Sequence, residues 1–410
     1  MKNLLLILFI VLINIGIIVT VIYVVGFYVY AAKIVKKMIK KNKIPIEING
    51  PNRWDMQVYN KRLYREMLKN SSIGFGEGYM RRDWDTQDLK ECLKRILASK
   101  VQKKETGTLL YRLKARFTNR QSRSRSFQVG EQHYDIGNDL YSAMLDPYMQ
   151  YSCGYWETGA RSLEEAQVAK LDLIANKLHL RPGMKILEIG CGFGGFMRFL
   201  QERYDVEITG LSVSVAQKKY AEKHFGVTTI LIEDYRDYAE KHQGQYDRIY
   251  SVGMFEHVGE KNYRKYFTAV RKMLKKDGFS LLHTIGNNVS VIKTDPWINK
   301  YIFPNGMLPS ISQIGSNIEG LFVMEDWHNF GPSYAKTLAE WNRRSKIFFK
   351  TTKNPKYNDK FRRMWDFYLT SCEVVFSLRQ IQLWQVIITP SDSPNKKTIR
   401  NIPFGGYRVF

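Results

Sequence analysis

From Lys170 onward the chain alternates between two hydrophobic rhythms, and this alternation limits the folds open to it more than any other feature of its 410 residues. Short apolar runs, KILEIG (185–190), VEITG (206–210), TTILI (228–232), DRIYSVG (247–253) and FSLLHTIG (279–286), are separated by helical stretches such as YRKYFTAVRKMLK. Strand-like runs alternating with helices predict a parallel sheet with helices on both faces. FVMEDW (322–327) and LWQVIIT (383–389) are expected to complete that sheet. No internal repeat or low-complexity tract interrupts the pattern.

The start of the chain sets a different constraint. Between Asn3 and Ala32 there is no charged residue, a stretch longer than the ~20 residues that cross a bilayer as a helix. A secretory signal would have a shorter apolar core and a more basic start, whereas here Lys2 stands alone and the basic run KIVKKMIKKNK follows from Lys33. Residues 1–32 therefore read as a transmembrane helix, and the positive-inside bias places the lysines and the rest of the chain in the cytoplasm. The 63 Lys+Arg against 39 Asp+Glu, a net charge of +24, favour an anionic partner, nucleic acid or membrane, without choosing between them. The four cysteines (Cys92, Cys153, Cys191, Cys372) lie far apart with no CxxC pair, so neither a disulfide framework nor a metal site is expected.

Residues 33–125 read as a small helical domain, with Leu89, Cys92, Leu93, Ile96 and Leu97 at helix spacing after Trp84. Between Lys100 and Arg125 nine basic residues accompany one acid, Glu105, and Leu109, Leu110, Leu113 and Phe117 recur at three- and four-residue intervals. Such a stretch either rests on anionic lipid or is a solvated connecting helix with its apolar stripe turned inward. QSRSRS (121–126) reads as a loop. The expected division is an anchor over 1–32, a helical domain for lipid binding or dimerisation over 33–125, and a catalytic domain over 126–410.

The chemistry centres on Glu188-Ile189-Gly190-Cys191-Gly192-Phe193-Gly194-Gly195, directly after the first strand of the alternation. Glycines there let the backbone approach a nucleotide cofactor closely. The run satisfies both GxGxxG and the E/DxGxGxG form of S-adenosylmethionine enzymes. No acid ends the second strand, Thr209-Gly210-Leu211-Ser212, where a dinucleotide site normally wants one for the ribose, and this leans toward the methyl donor. Ligands of open α/β sheets bind beyond the carboxyl ends of the strands. Glu256 follows the fourth strand and His283 and Ile285 lie near the end of the fifth, so they are expected on the same edge as the glycine loop. Glu256 could equally cap the next helix, and His283 could be a satisfied core histidine; their shared edge favours a site.

These segments, with SIGFGEGYM (72–80), HYDIGNDLYSAMLDPYMQYSCGYWE (133–157), EDYRDY (233–238), DPWINKYIFPNG (295–306), MEDWHNFG (324–331) and IQLWQV (381–386), carry a family resemblance. Over roughly residues 70 to 390 the chain resembles the bacterial cyclopropane-fatty-acyl-phospholipid synthases and the related mycolic acid cyclopropane synthases. The resemblance implies an α/β, Rossmann-like class I methyltransferase fold, S-adenosylmethionine as donor, and unsaturated acyl chains of assembled phospholipids as substrate. It also implies a bicarbonate ion as base, caged by Cys153, Glu256, His283, Ile285 and Tyr334, with Cys372 a second thiol candidate. Carried over by motif, the donor would meet Tyr151 and Ser152, the loop from Ile186 through Glu188, Gly190 and Gly192 to Gly194, then Ser212, Gln217, Asp234 and Tyr235. Either thiol could instead be a small buried hydrophobe. The members of the family lack a spanning segment, so the start of this chain departs from the pattern.

No recognised nucleic-acid-binding module is present, so the expected partner is an anionic phospholipid membrane rather than nucleic acid, and a homodimer stays open. The location implied is a bacterial inner membrane, crossed once, with the catalytic domain in the cytoplasm. The reaction asks for a dry channel, because an alkene is a weak nucleophile and the carbocation it forms would be captured by water. Trp297, Tyr301, Phe303 and Trp327 could line that channel and offer π faces to the cation, or could pack the core.

Overall fold

In the computed structural model, which describes residues 30–99, 136–291 and 294–393, all seven apolar runs become strands of one sheet. They are β1 (Lys185–Ile189), β2 (Glu207–Ser212), β3 (Ile230–Ile232), β4 (Tyr246–Val252), β5 (Leu274–Asn287), β6 (Phe322–Asn329) and β7 (Ile381–Pro390). Their order across the sheet is β3-β2-β1-β4-β5-β7-β6. The first five are mutually parallel, as expected. The expectation of a wholly parallel sheet fails at the edge, where β7 inserts between β5 and β6 and runs antiparallel to both, so the sheet is mixed. A strand buried on both faces reads as the same apolar run whichever way it points, which is why the pattern did not disclose its direction.

Alternate residues of each strand feed opposite faces. Ile186, Ile208, Tyr250, Leu281 and Ile387 join a cluster with helices α1 (Leu163–Lys177) and α2 (Gly195–Arg203). Leu187, Ile249, Leu282, Val386 and Ile388 join a second cluster with Tyr263, Phe267, Val270 and Met273 of a helix over Tyr263–Met273. Each fully buried Leu or Ile contributes about 1.5–3 kcal/mol, which makes the central strands a rigid platform for whatever projects from their ends.

The chain divides into two compact units, one formed by Met1–Glu105 with Pro355–Phe367 and the other by Thr106–Asn354 with Tyr368–Phe410. In the first, Trp84 is fully buried, donates its indole N–H to the Phe75 carbonyl at 2.9 Å and stacks on the Phe75 ring. Arg363 closes this core, lying over the Tyr79 ring and pairing with Asp85 at 3.0 Å. The helix expected around Cys92 spans Leu89–Ala98, is capped by Asp88, and buries Cys92 and Leu93. The basic stretch 100–125, the loop at 121–126 and all but the last three residues of the charge-free segment lie outside the described residues. Among the described residues no helix is long and apolar enough to cross a membrane.

Candidate active site

The glycine loop leaves β1 at the carboxyl edge of the sheet. Gly190, Gly192 and Gly194 adopt left-handed φ values of +82°, +53° and +75°, a region that suits glycine and disfavours side chains. Gly195, the first residue of α2, is fixed by proximity instead: a β-carbon there would lie 1.7 Å from the Tyr148 carbonyl oxygen. A β-carbon on Gly192 would meet nothing within 4 Å, so this turn presents bare backbone to open space, as a nucleotide cofactor requires.

Beneath the loop lies a buried polar cluster. Glu188 pairs in register with Tyr250 of β4, whose hydroxyl donates to its carboxylate at 3.0 Å. Burial raises the Glu188 carboxyl to about 7, against the opposing pull of the Tyr250 hydrogen bond and of Lys170. Lys170 of α1 is fully buried and donates to Gln150 Oε1 at 2.5 Å and Ser152 Oγ at 3.0 Å. Burial lowers its ammonium to about 8. Lys170 was not singled out from the sequence. The available signal was its place on the apolar stripe of α1, four residues after Ala166 and four before Ile174, both fully buried.

The remaining expected cofactor contacts occupy the same edge, with one exception. Ser212 ends β2 and its hydroxyl accepts from the Ser214 N–H, while Gln217 lies in the first turn of the helix that Ser214 caps. Asp234 follows β3, caps the helix Tyr235–Lys241 and pairs with Arg236 at 2.6 Å; the ring of Tyr235 meets Tyr266 edge-on. The Tyr151 and Tyr368 hydroxyls lie 3.0 Å apart, and the Tyr151 ring packs on Tyr141 and Trp341. Ile186 is the exception: its side chain is wholly inside the α1 and α2 cluster, within β1 and before the loop begins.

Beyond β4 and β5 the second group assembles. Glu256 sits in the single turn Phe255–His257, and its Oε1 accepts from the Ile285 N–H at 2.6 Å. Its Oε2 is buried with no hydrogen-bond partner. Burial raises this carboxyl to about 7, with the Ile285 N–H opposing. Ile285, expected in the cage of a captive anion, gives its backbone N–H to Glu256, which satisfies one oxygen of a buried carboxyl. His283 Nδ1 lies 3.3 Å from Gln385 Nε2, and His283 Nε2 is buried without a partner. Burial, aided by Lys170 and Lys177, holds the imidazole well below its ordinary pKa and hence neutral.

Tyr334, near the start of the helix Gly331–Thr351, packs on Phe376 with the ring centroids 4.5 Å apart and the planes tilted by 35°. Burial drives its phenol well above the ordinary value, and the closeness of Cys153, Glu256 and Cys372 adds to the effect, which places the four groups in one neighbourhood. Cys153 is fully buried, with its Sγ 3.1 Å from the Gly154 carbonyl and 4.0 Å from the Thr337 hydroxyl. Its thiol is pushed well above the usual range by burial, and that of Cys372 to about 12. Neither is a thiolate at neutral pH, so both act as neutral groups. Of the aromatic candidates, Phe303 reaches this region through the ring of Tyr368. Trp297 is buried against Tyr301, and Trp327 packs on Trp384 in the cluster of the opposite face, where it serves the core.

The strand order, with a glycine turn at the carboxyl end of the central strand, defines a class I S-adenosylmethionine-dependent methyltransferase fold. The chain belongs to the mycolic acid cyclopropane synthetase family, whose model matches residues 121–386. It is 46% identical over 349 residues to the cyclopropane-fatty-acyl-phospholipid synthase of Escherichia coli K12, covering 84% of this chain and 90% of that protein. A mycolic acid cyclopropane synthase solved with SAH and CTAB superposes with a TM-score of 0.57 at 31% identity, covering 64% of this chain and 97% of the other. A coclaurine N-methyltransferase solved with N-methylheliamine and SAH gives a TM-score of 0.63 at 21% identity over 77% of this chain and 99% of the other, a likeness of fold alone.

Proposed function

We propose that this protein transfers a methylene carbon from S-adenosylmethionine to the cis double bond of an unsaturated acyl chain in a membrane phospholipid, closing a cyclopropane ring. The observation that carries this reading is the buried pair of unpartnered polar atoms, Glu256 Oε2 and His283 Nε2, set among aromatic side chains on the sheet edge that bears the glycine loop. S-adenosylmethionine supplies an electrophilic methyl carbon when bound. Gly190, Gly192 and Gly194 would offer it backbone, and Tyr151, Ser152, Ser212, Gln217, Asp234 and Tyr235 would hold its ends.

The surroundings suit a carbocation. Tyr151, Tyr334, Tyr368, Trp341 and Phe376 form a continuous aromatic patch that excludes water and offers π faces to positive charge. Tyr151, Tyr334 and Tyr368 are kept protonated by burial, so no phenolate competes for the cation. The residues also fit a bicarbonate ion, since buried polar atoms without partners are costly unless something meets them. Cys153, Glu256, His283 and Tyr334 would hold it, with Ile285 acting through Glu256, and when bound it would supply a small base for the proton lost on ring closure. Burial raises the Glu256 carboxyl to about 7, so near neutrality it can meet such an ion either as the neutral acid, donating its proton, or as the carboxylate, accepting from the hydroxyl of bicarbonate.

The segment over 1–32, charge-free from Asn3 onward, serves as a single-pass anchor in the bacterial inner membrane, with the catalytic domain (126–410) in the cytoplasm and the domain over 33–125 serving lipid binding or dimerisation. Lys33, Lys36, Lys37, Lys40 and Lys41 are exposed on a helix over 30–41, where they can meet anionic headgroups. The test is incubation of the full-length protein with labelled S-adenosylmethionine and unsaturated phospholipid vesicles. Replacement of alkene protons by cyclopropane protons in the NMR spectrum of the lipid supports the reading. A methyl branch or a hydroxylated chain in their place overturns the ring-closing step, and no transfer at all overturns the whole. Recovery of the protein in a salt-extractable fraction would refute the anchor.

A further inference from the structure

Gln385 lies in the middle of β7, fully buried, and has no place among the groups assigned so far. The register sets it directly opposite His283 of β5 and His328 of β6. Directly opposed residues of antiparallel strands share a face, so the amide and the His283 imidazole meet, with Gln385 Nε2 3.3 Å from His283 Nδ1. The far nitrogen of the ring, Nε2, is buried without a partner. A neutral imidazole carries one N–H, and if Nδ1 accepts from the amide that proton must sit on Nε2.

We propose that Gln385 is a positioning residue that fixes His283 as the Nε2–H tautomer, so that His283 enters the reaction as a hydrogen-bond donor and never as the base. Burial and the nearby Lys170 and Lys177 keep the ring neutral, which makes the choice of tautomer decisive. The reverse amide orientation would point Gln385 Oε1 at an Nδ1–H and leave Nε2 a bare acceptor. The same neighbourhood already holds an unpartnered carboxyl oxygen, Glu256 Oε2, so a bare Nε2 would add a second unmet acceptor where an Nε2–H supplies a donor. The proton lost on ring closure must then leave by a group other than His283. The inference rests on reading this cluster as the catalytic site, but its readout does not.

The test uses the full-length protein in detergent, labelled with 15N-histidine, with the His283 signal identified among seven histidines by its loss in His283→Gln. The expected wild-type spectrum has a pyridine-like Nδ1 and a pyrrole-like Nε2. Gln385→Met, of similar volume but with no donor, should draw the two nitrogen shifts toward each other as the tautomers exchange. It should also lower kcat by roughly ten- to a hundredfold, the usual cost of losing such an outer partner, while KM for S-adenosylmethionine stays within about twofold. A pyridine-like Nε2 in the wild type overturns the proposal, as does a Met variant that keeps both tautomer and kcat. Should that variant fail to fold, the wild-type spectrum decides alone. A wild type with the expected tautomer that forms no cyclopropane lipid refutes the assigned reaction and leaves the tautomer assignment standing.

Discussion

Replacing Glu256 by Gln should make the protein more stable and nearly inactive, with the gain in stability depending on pH. The amide keeps the oxygen that accepts from the Ile285 N–H but removes the buried charge. Because burial raises this carboxyl from 4.5 to about 7, the native state binds its proton more tightly than the unfolded chain does. The wild type therefore has its full share of stability from this group below pH 4.5, loses it between 4.5 and about 7, and stays at the lower level above. At about 1.36 kcal/mol per pH unit the loss is on the order of 3 kcal/mol. At pH 8 Glu256→Gln should thus gain up to ~3 kcal/mol, a Tm rise of roughly 6–10 °C for a domain of this size, and at pH 4.5 the two should melt together. Thermal unfolding of detergent-solubilised protein at both pH values measures this, and cyclopropane formation from labelled donor should fall at least about a hundredfold, as for loss of a proton-handling group. The reasoning is refuted if the variant is less stable than wild type at pH 8, if the difference is the same at both pH values, or if activity is retained at every bicarbonate concentration.

Four further outcomes follow from the packing and burial of particular groups. Gly195→Ala should weaken S-adenosylmethionine binding in calorimetry by more than about tenfold, because its β-carbon would strike the Tyr148 carbonyl. Gly183→Ala, at φ +75° with nothing within 4 Å, should cost only about 1 kcal/mol of stability and leave binding intact. Lys170→Met should strip Gln150 and Ser152 of a charged donor and weaken donor binding about tenfold or more, while Lys170→Arg, too large for the cavity, should not restore it. Iodoacetamide at pH 7.5 should leave Cys153 and Cys191 unmodified in the native protein and alkylate both after denaturation, as read by mass spectrometry, since burial holds both thiols protonated.

Much of this architecture is written in local pattern. Each strand of the sheet was visible as an apolar run, the helix around Cys92 as a spacing, and the glycine turn as a motif, because hydrophobic period and backbone freedom are properties of neighbouring residues. The approach of Glu256 and His283 to one edge also followed, since strand ends in a parallel sheet share a side. The path of β7 did not, nor did the assignment of Trp327 to the core or the loss of the Ile285 N–H to Glu256. Each depends on which residue lies opposite which across chain segments far apart in sequence.

The sequence by itself thus determined the α/β methyltransferase class of fold, the position of the glycine loop and the edge of the sheet on which Glu256 and His283 lie. Only the tertiary structure decided their states: that Lys170 is a buried cation under Ser152, that Glu256 titrates near neutrality, and that Gln385 faces His283. The physical reason is that burial and hydrogen-bond partners, which set charge and tautomer, arise from long-range contacts that no local window of residues contains.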